Sequence, residues 1–237
     1  MGSGPFAAAL LAARRRGEVP VIPDVKLRSP KEGDLMAGRD PIAQAVALAQ
    51  AGAPALSVVT EPDSFGGSTA LAREIAQATS LPVLRKDFLT SPADIDESAA
   101  LGVRAVLLMY ATVGRDTVAE LHARALAVGL EPFVETHDAT EMEWARALGA
   151  TLVGINNRDI TALEVDDGTV ARTASLAALA PASAVVVSES GIATPADAAA
   201  ALAAGAHAVL VGTAIWQAAD PVACYRAFAA ATTGESA

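Results

Sequence analysis

Residues 184–213 read AVVVSESGIATPADAAAALAAGAHAVLVGT, and this stretch decides the fold. It opens on a β-branched run (184–190), passes a turn, and reaches Thr194 and Pro195, a side-chain cap followed by a proline suited to a first helical turn. An alanine-rich segment of helical period follows and stops at Gly205, a residue free to take the positive φ that ends a helix. A second β-branched run (208–213) completes a strand, helix, strand unit. Working outward, such runs recur at 19–26, 55–60, 83–88, 105–110, 131–136 and 152–157, which with the two quoted makes eight. The intervening segments stop at Gly52, Gly102, Gly129 and Gly149, and start at Ser68, Ser91 with Pro92, and Asp138. Eight strand-helix units in 237 residues predict an α/β fold of the closed (β/α)8 TIM-barrel type. The expected organisation is one domain over 1–237, with 1–17 a short leading helix. An open doubly wound sheet is the rival, but no glycine-rich fingerprint follows the first run.

Composition limits the partners. The chain is 52% apolar but 4% aromatic, so Ala, Val, Leu and Ile must build the core, and its formal charge is −10. That charge disfavours nucleic acid and anionic membrane surfaces. Cys224 is the single cysteine, which excludes an internal disulfide and fits a reducing, cytoplasmic setting. Two stretches without charge, 41–60 and 198–219, approach the length of a bilayer span. Gly52, Pro54, Gly205 and Gly212 break them, so they read as buried helix followed by strand. Arg14, Arg15 and Arg16 follow the first short apolar run instead of preceding it, unlike a signal peptide. No metal is expected, because no histidine pair has ligand spacing with a carboxylate. His122 and His207 read as surface or helix-end residues, and oligomeric state is left at monomer or weak homo-oligomer.

In a barrel the chemistry sits at the C-terminal strand ends. Ionisable residues gather there: Asp24 and Lys26; Glu61; Arg85, Lys86 and Asp87; Glu135 and His137; Asn156, Asn157 and Arg158; Glu189. Side chains alternate across a strand, so Asp24 with Lys26, Lys86 with Phe88, and Asn156 with Arg158 share faces. Choosing each inward face to include its ionisable residue brings two lysines, an arginine and several carboxylates to one mouth. All three lysines of the chain, Lys26, Lys31 and Lys86, lie at or just beyond strand ends. Ser190-Gly191-Ile192 and Gly212-Thr213 follow the last two strands, where barrels commonly hold a phosphate.

These motifs resemble the indole-3-glycerol phosphate synthases of tryptophan biosynthesis. The resemblance rests on Lys26-Leu-Arg-Ser-Pro30, Pro82-Val-Leu-Arg-Lys-Asp-Phe88, Val134-Glu-Thr-His-Asp138, Gly154-Ile-Asn-Asn-Arg158 and Ser188-Glu-Ser-Gly-Ile192, among others, and spans residues 26–212. It implies a decarboxylating lyase that closes the pyrrole ring of 1-(2-carboxyphenylamino)-1-deoxyribulose 5-phosphate without metal or organic cofactor. It also implies the roles. Lys86 is the general acid, with a pKa expected to fall at a cationic rim; Lys26 pairs with the substrate carboxylate; Glu135 is an acid or base in dehydration. Asn156 and Glu189 orient sugar hydroxyls and the anilino nitrogen, with Arg158 supporting them. Phe88, Leu108 and Tyr110 flank the aromatic ring, and Ser29, Ser190, Gly191, Gly212 and Thr213 surround the phosphate.

The chain departs from the family at several positions. Asp24 stands where the family has a glutamate, the N-terminal extension is short, and Tyr110 stands where an aliphatic residue is commoner. The shorter carboxylate or the Tyr110 hydroxyl points to a substituted anthranilate as one alternative substrate. Retro-aldol release of indole and a ligand-binding barrel without turnover are the others. A phosphoribosylanthranilate isomerase is disfavoured, because Cys224 lies beyond the last strand.

Overall fold

The computed structural model describes residues 4–158 and 169–231. Among these, eight parallel strands close into a barrel in the order β1 (Val21–Val25), β4 (Leu56–Val59), β5 (Val83–Lys86), β6 (Ala105–Met109), β7 (Glu131–Thr136), β8 (Leu152–Asn156), β9 (Val185–Glu189) and β10 (Ala208–Val211), with β10 returning to β1. Between them run α2 (Pro41–Gln50), α3 (Thr69–Ala78), α4 (Pro92–Leu101), α5 (Tyr110–Ala127), α6 (Ala139–Leu148), α7 (Ala171–Leu176), α8 (Pro195–Ala203), and, after the last strand, α9 (Thr213–Gln217) and α10 (Pro221–Ala229). The (β/α)8 expectation is met. Ser68, Asp138 and Thr194 accept backbone N–H groups at the starts of α3, α6 and α8, and Ser91 caps α4 in a capping box with Asp94. Gly52, Gly102, Gly129, Gly149 and Gly205 all stand at positive φ past helix ends. Asp40 and Asp220, each before a proline, cap α2 and α10 in the same way.

Alternation divides the apolar residues into two cores. Val58, Val106, Val134, Val153 and Val209 face outward against helix residues such as Leu48, Ile75, Leu121 and Met142. Ile22, Leu84, Leu107, Phe133, Leu152 and Val187 fill the interior. The leading helix is α1 (Pro5–Arg15), with residues 1–3 outside the described ones. It plugs the N-terminal end of the barrel by inserting Phe6, Ala7 and Leu10 into the inner core. The Glu131 carboxylate accepts the backbone N–H of Phe6 and that of Ala7 (3.0 Å), placing a negative charge at the helix's positive end.

Two local features are additional to the sequence expectations. The segment after β1 folds back as an antiparallel pair, β2 (Arg28–Ser29) with β3 (Gly33–Asp34). Arg39 then donates to the carbonyls of Leu35, Met36, Trp216 and Ala218, fastening this loop to the chain after β10. His122, expected near the surface, is instead buried on the inner face of α5, and burial lowers its pKa. No described helix is long and apolar enough to cross a membrane.

Candidate active site at the strand ends

A cavity of about 700 Å³ opens where the strands end. It is lined by Asp24, Lys26, Ser29, Lys86, Phe88, Glu135, Asn156, Arg158, Glu189, Ser190, Gly191, Gly212 and Thr213, so thirteen of the fifteen expected site residues meet there. Leu108 and Tyr110 do not. They belong to the outward face of β6 and its continuation: Leu108 is buried in the outer core, and Tyr110 packs edge-on against Trp144 with ring centroids 5.4 Å apart. Leu107 and Met109 line the cavity instead. The register explains it, since Leu107 and Met109 pair with Phe133 and Glu135, and paired residues in a sheet point the same way. This strand carries no ionisable residue to mark its inward face, and the two residues that the resemblance implied lie on its outward one. Burial and the nearby Glu141 charge raise the Tyr110 pKa to about 12, and its hydroxyl is unavailable to accept a substituent in the cavity.

At the centre, Lys86 Nζ sits 2.6 Å from Glu189 Oε2 and 3.4 Å from Glu135 Oε2. Asn156 donates its side-chain amide to Glu135 Oε1 (3.1 Å) and accepts the Arg158 backbone N–H on its own oxygen (3.0 Å). Burial by itself would lower the Lys86 pKa, but the charges of Glu189, Glu135 and Asp24 outweigh it and raise the pKa well above the ordinary lysine value. The expected fall is therefore corrected: the neighbours of Lys86 are anions and not cations. Burial drives Glu189 up, the Glu135 charge adds to this, and its pKa reaches about 8 despite Lys86. For Glu135, burial is overcome by Lys86, His137 and Asn156, which hold it well below the usual carboxylate range. Gly154 makes this packing possible, because a Cβ there would collide with the Phe133 ring and with Glu189 Oε1.

Around this centre, Ser57 donates to Asp24 Oδ1 (2.6 Å), and Trp216 Nε1 donates to the Asp24 carbonyl (2.6 Å). Lys26 lies over the Phe65 ring at 5.5 Å. Glu61 fixes the turn that presents Phe65 by accepting the N–H groups of Asp63, Ser64 and Phe65. Ser57 and Phe65 were outside the expected site, because neither has a charge to single it out. Arg85 faces outward to Asp87, Glu97 and Ser98, and supports the strand instead of the cavity. On the far side, Ser190 and Gly191 both adopt positive φ, 64° and 68°. An αL serine is uncommon and strained, a cost that clusters at binding sites. Phe88 stands at the rim, 51% exposed.

Comparison with known proteins agrees with this arrangement. The family model described as indole-3-glycerol phosphate synthase matches residues 3–228. The chain is 42% identical over 217 residues to a protein of that name from Pyrococcus furiosus, covering 92% of this chain and 94% of the relative. It is 45% identical over 206 residues to one from Nocardioides sp., covering 87% and 78% respectively.

Proposed function

The chain belongs to the indole-3-glycerol phosphate synthase family, and on that premise we propose that the cavity residues divide the family's reaction among themselves as follows. The reaction is that of a carboxy-lyase: 1-(2-carboxyphenylamino)-1-deoxyribulose 5-phosphate closes to indole-3-glycerol phosphate, releasing CO2 and water. The observation that carries the assignment is the placing of Lys86 between Glu135 and Glu189 at the cavity floor.

The aromatic carbon that bears the carboxylate attacks the ribulose carbonyl, and Lys86 donates a proton to the oxygen as the bond forms. A lysine with a raised pKa is a weak acid, but it is fully protonated at neutral pH, and the developing alkoxide is more basic still. Lys26 pairs with the carboxylate and holds the chain bent until CO2 leaves. Dehydration then expels the new hydroxyl as water, its second proton coming from Lys86 after the neutral amine has been reprotonated from solvent, while Glu135, kept anionic, removes the proton whose loss makes the pyrrole aromatic. Asn156 and Glu189 orient the hydroxyls and the anilino nitrogen, with Arg158 in support. Phe88, joined by Leu107 and Met109, flanks the ring; Ser29, Ser190, Gly191, Gly212 and Thr213 surround the phosphate. Ser57 orients Asp24.

Acid and base on this chain suffice for every proton transfer, so no cofactor is proposed. An acidic surface favours a small phosphorylated substrate over nucleic acid, and we place the enzyme in the cytoplasm as one catalytic domain, monomeric or weakly self-associating. The test is incubation of purified protein with the carboxyphenylamino-deoxyribulose phosphate, followed by indole fluorescence. A rise with matching CO2 release is expected; no product, or free indole instead of its glycerol phosphate, overturns the reading.

A further inference from the structure

Lys86 faces two buried glutamates, and it lies closer to Glu189 than to Glu135. The lysine alone would thus favour charge on Glu189, the opposite of what a base at position 135 requires. We propose that His137, held as an imidazolium between Glu135 and Glu141, is the positioning residue that keeps Glu135 ionised and leaves the shared proton on Glu189. The proposal rests on the synthase reading above and extends it to a side chain that does not line the cavity.

The geometry follows from the end of β7. Glu135 faces inward, Thr136 outward, where its hydroxyl donates to the Gly154 carbonyl (2.9 Å), and His137 returns to the side of Glu135. The ring is buried, with Nε2 at 3.1 Å from Glu135 Oε1 and Nδ1 at 3.0 Å from Glu141 Oε2. The Nε2 contact is an ion-pair approach and not an in-line hydrogen bond. A neutral imidazole has one donor and one acceptor nitrogen, so one lone pair would face a carboxylate oxygen. An imidazolium presents N–H on both sides.

Glu141 is itself fixed in the first turn of α6. Its N–H donates to Asp138 Oδ1 (2.8 Å), and its Oε2 also accepts the His137 backbone N–H (2.8 Å). The groups facing Glu135 are then Lys86 from β5, Asn156 from β8, Glu189 from β9 and His137, with Asp24 from β1 acting on Lys86. His137 is the second cation of this cluster, and it touches one glutamate of the pair only. Burial opposes its charge, but Glu135 and Glu141 outweigh burial and bring its pKa to about 9.

Nitrogen NMR of the full chain reads the ring directly: both nitrogens of His137 protonated at pH 7.5 is the expected result, and a neutral ring overturns the proposal. Kinetically, His137→Gln should lower kcat on the acid side of the profile by on the order of tenfold, and by much less at pH 7, with KM changed less than about threefold. It should also move the acid limb of the pH profile up by about one unit, a change that a merely structural role would not cause. Glu141→Gln should move the limb in the same direction by less, and decides the matter if His137→Gln does not fold. An unmoved limb in a folded variant overturns the proposal while leaving the synthase reading intact. Absence of turnover in the unaltered protein sinks that reading instead, and the NMR state of His137 still settles the charge.

Discussion

The two ends of the barrel are built from the same strands and obey opposite rules. At the N-terminal end, Phe6 and Leu10 of α1 are fully buried against Ile22, Leu84 and Phe133, and the Glu131 carboxylate is engaged by backbone N–H groups. At the C-terminal end Asp24, Lys26, Glu135, His137 and Glu189 are all buried, and their charges are met by polar partners within the mouth, Lys86, Glu141, Ser57 and Asn156 among them. Removing several charges from water is costly unless they are paired, so the mouth is a stability burden that the apolar end offsets. One end should therefore govern turnover and the other folding.

The largest test of that division is Lys86→Ala. Loss of a positioned acid should lower kcat by roughly 10²–10⁴-fold, read by indole fluorescence under saturating substrate. Turnover within a few-fold of the unaltered protein would remove Lys86 from the chemistry. Its counterpart at the closed end is Phe6→Ala, which leaves a cavity under α1 and should cost about 3–5 kcal/mol in denaturant unfolding. Its kcat, measured well below the transition, should stay within about twofold. A large fall in kcat would mean that the two ends are coupled through the interior.

Gly154 is the position at which the two ends meet, touching Phe133 of the inner core and Glu189 of the mouth. Gly154→Ala should thus break the division, with overpacking of about 1–3 kcal/mol in stability and a fall in kcat together. If only stability falls, Glu189 has room to move and its position is less constrained than the packing indicates.

Legibility in the sequence follows the same partition. Caps and helix stops are local chemistry, so Ser68, Asp138, Thr194 and the five glycines marked the units of the barrel without any tertiary information. The mouth was legible wherever an ionisable residue marked the inward face. On β6 none did, and Leu108 and Tyr110 were assigned to the wrong side, one residue out of phase with Leu107 and Met109. The direction of the Lys86 shift was also hidden, because it depends on which groups from β1, β7 and β9 surround it in space. Likewise a leading helix can be read from composition, but its seat inside the barrel depends on Glu131, well over a hundred residues away.

The smallest expected effect is the pH dependence of folding, and it sharpens the comparison because the two ends titrate differently. Glu189 binds a proton in the folded state up to about pH 8, against an ordinary carboxylate value of 4.5, and His137 holds its proton to about 9 against 6.5. Each group binds more protons folded than unfolded within its window, so stability must fall as pH rises through it. For Glu189 that window runs from about 4.5 to 8, and for His137 from about 6.5 to 9. Tm should therefore decline between pH 7 and 9. Glu135 acts oppositely: held below its ordinary 4.5, it contributes stability that is lost in acid. Glu189→Gln removes one of the two alkaline contributions, so its Tm should fall less steeply than that of the unaltered chain between pH 5 and 8. Phe6→Ala lowers Tm at every pH without changing the slope. Parallel curves for the unaltered chain and Glu189→Gln would show that the proton on Glu189 is not linked to folding, and that the mouth carries its charges more evenly than its geometry implies.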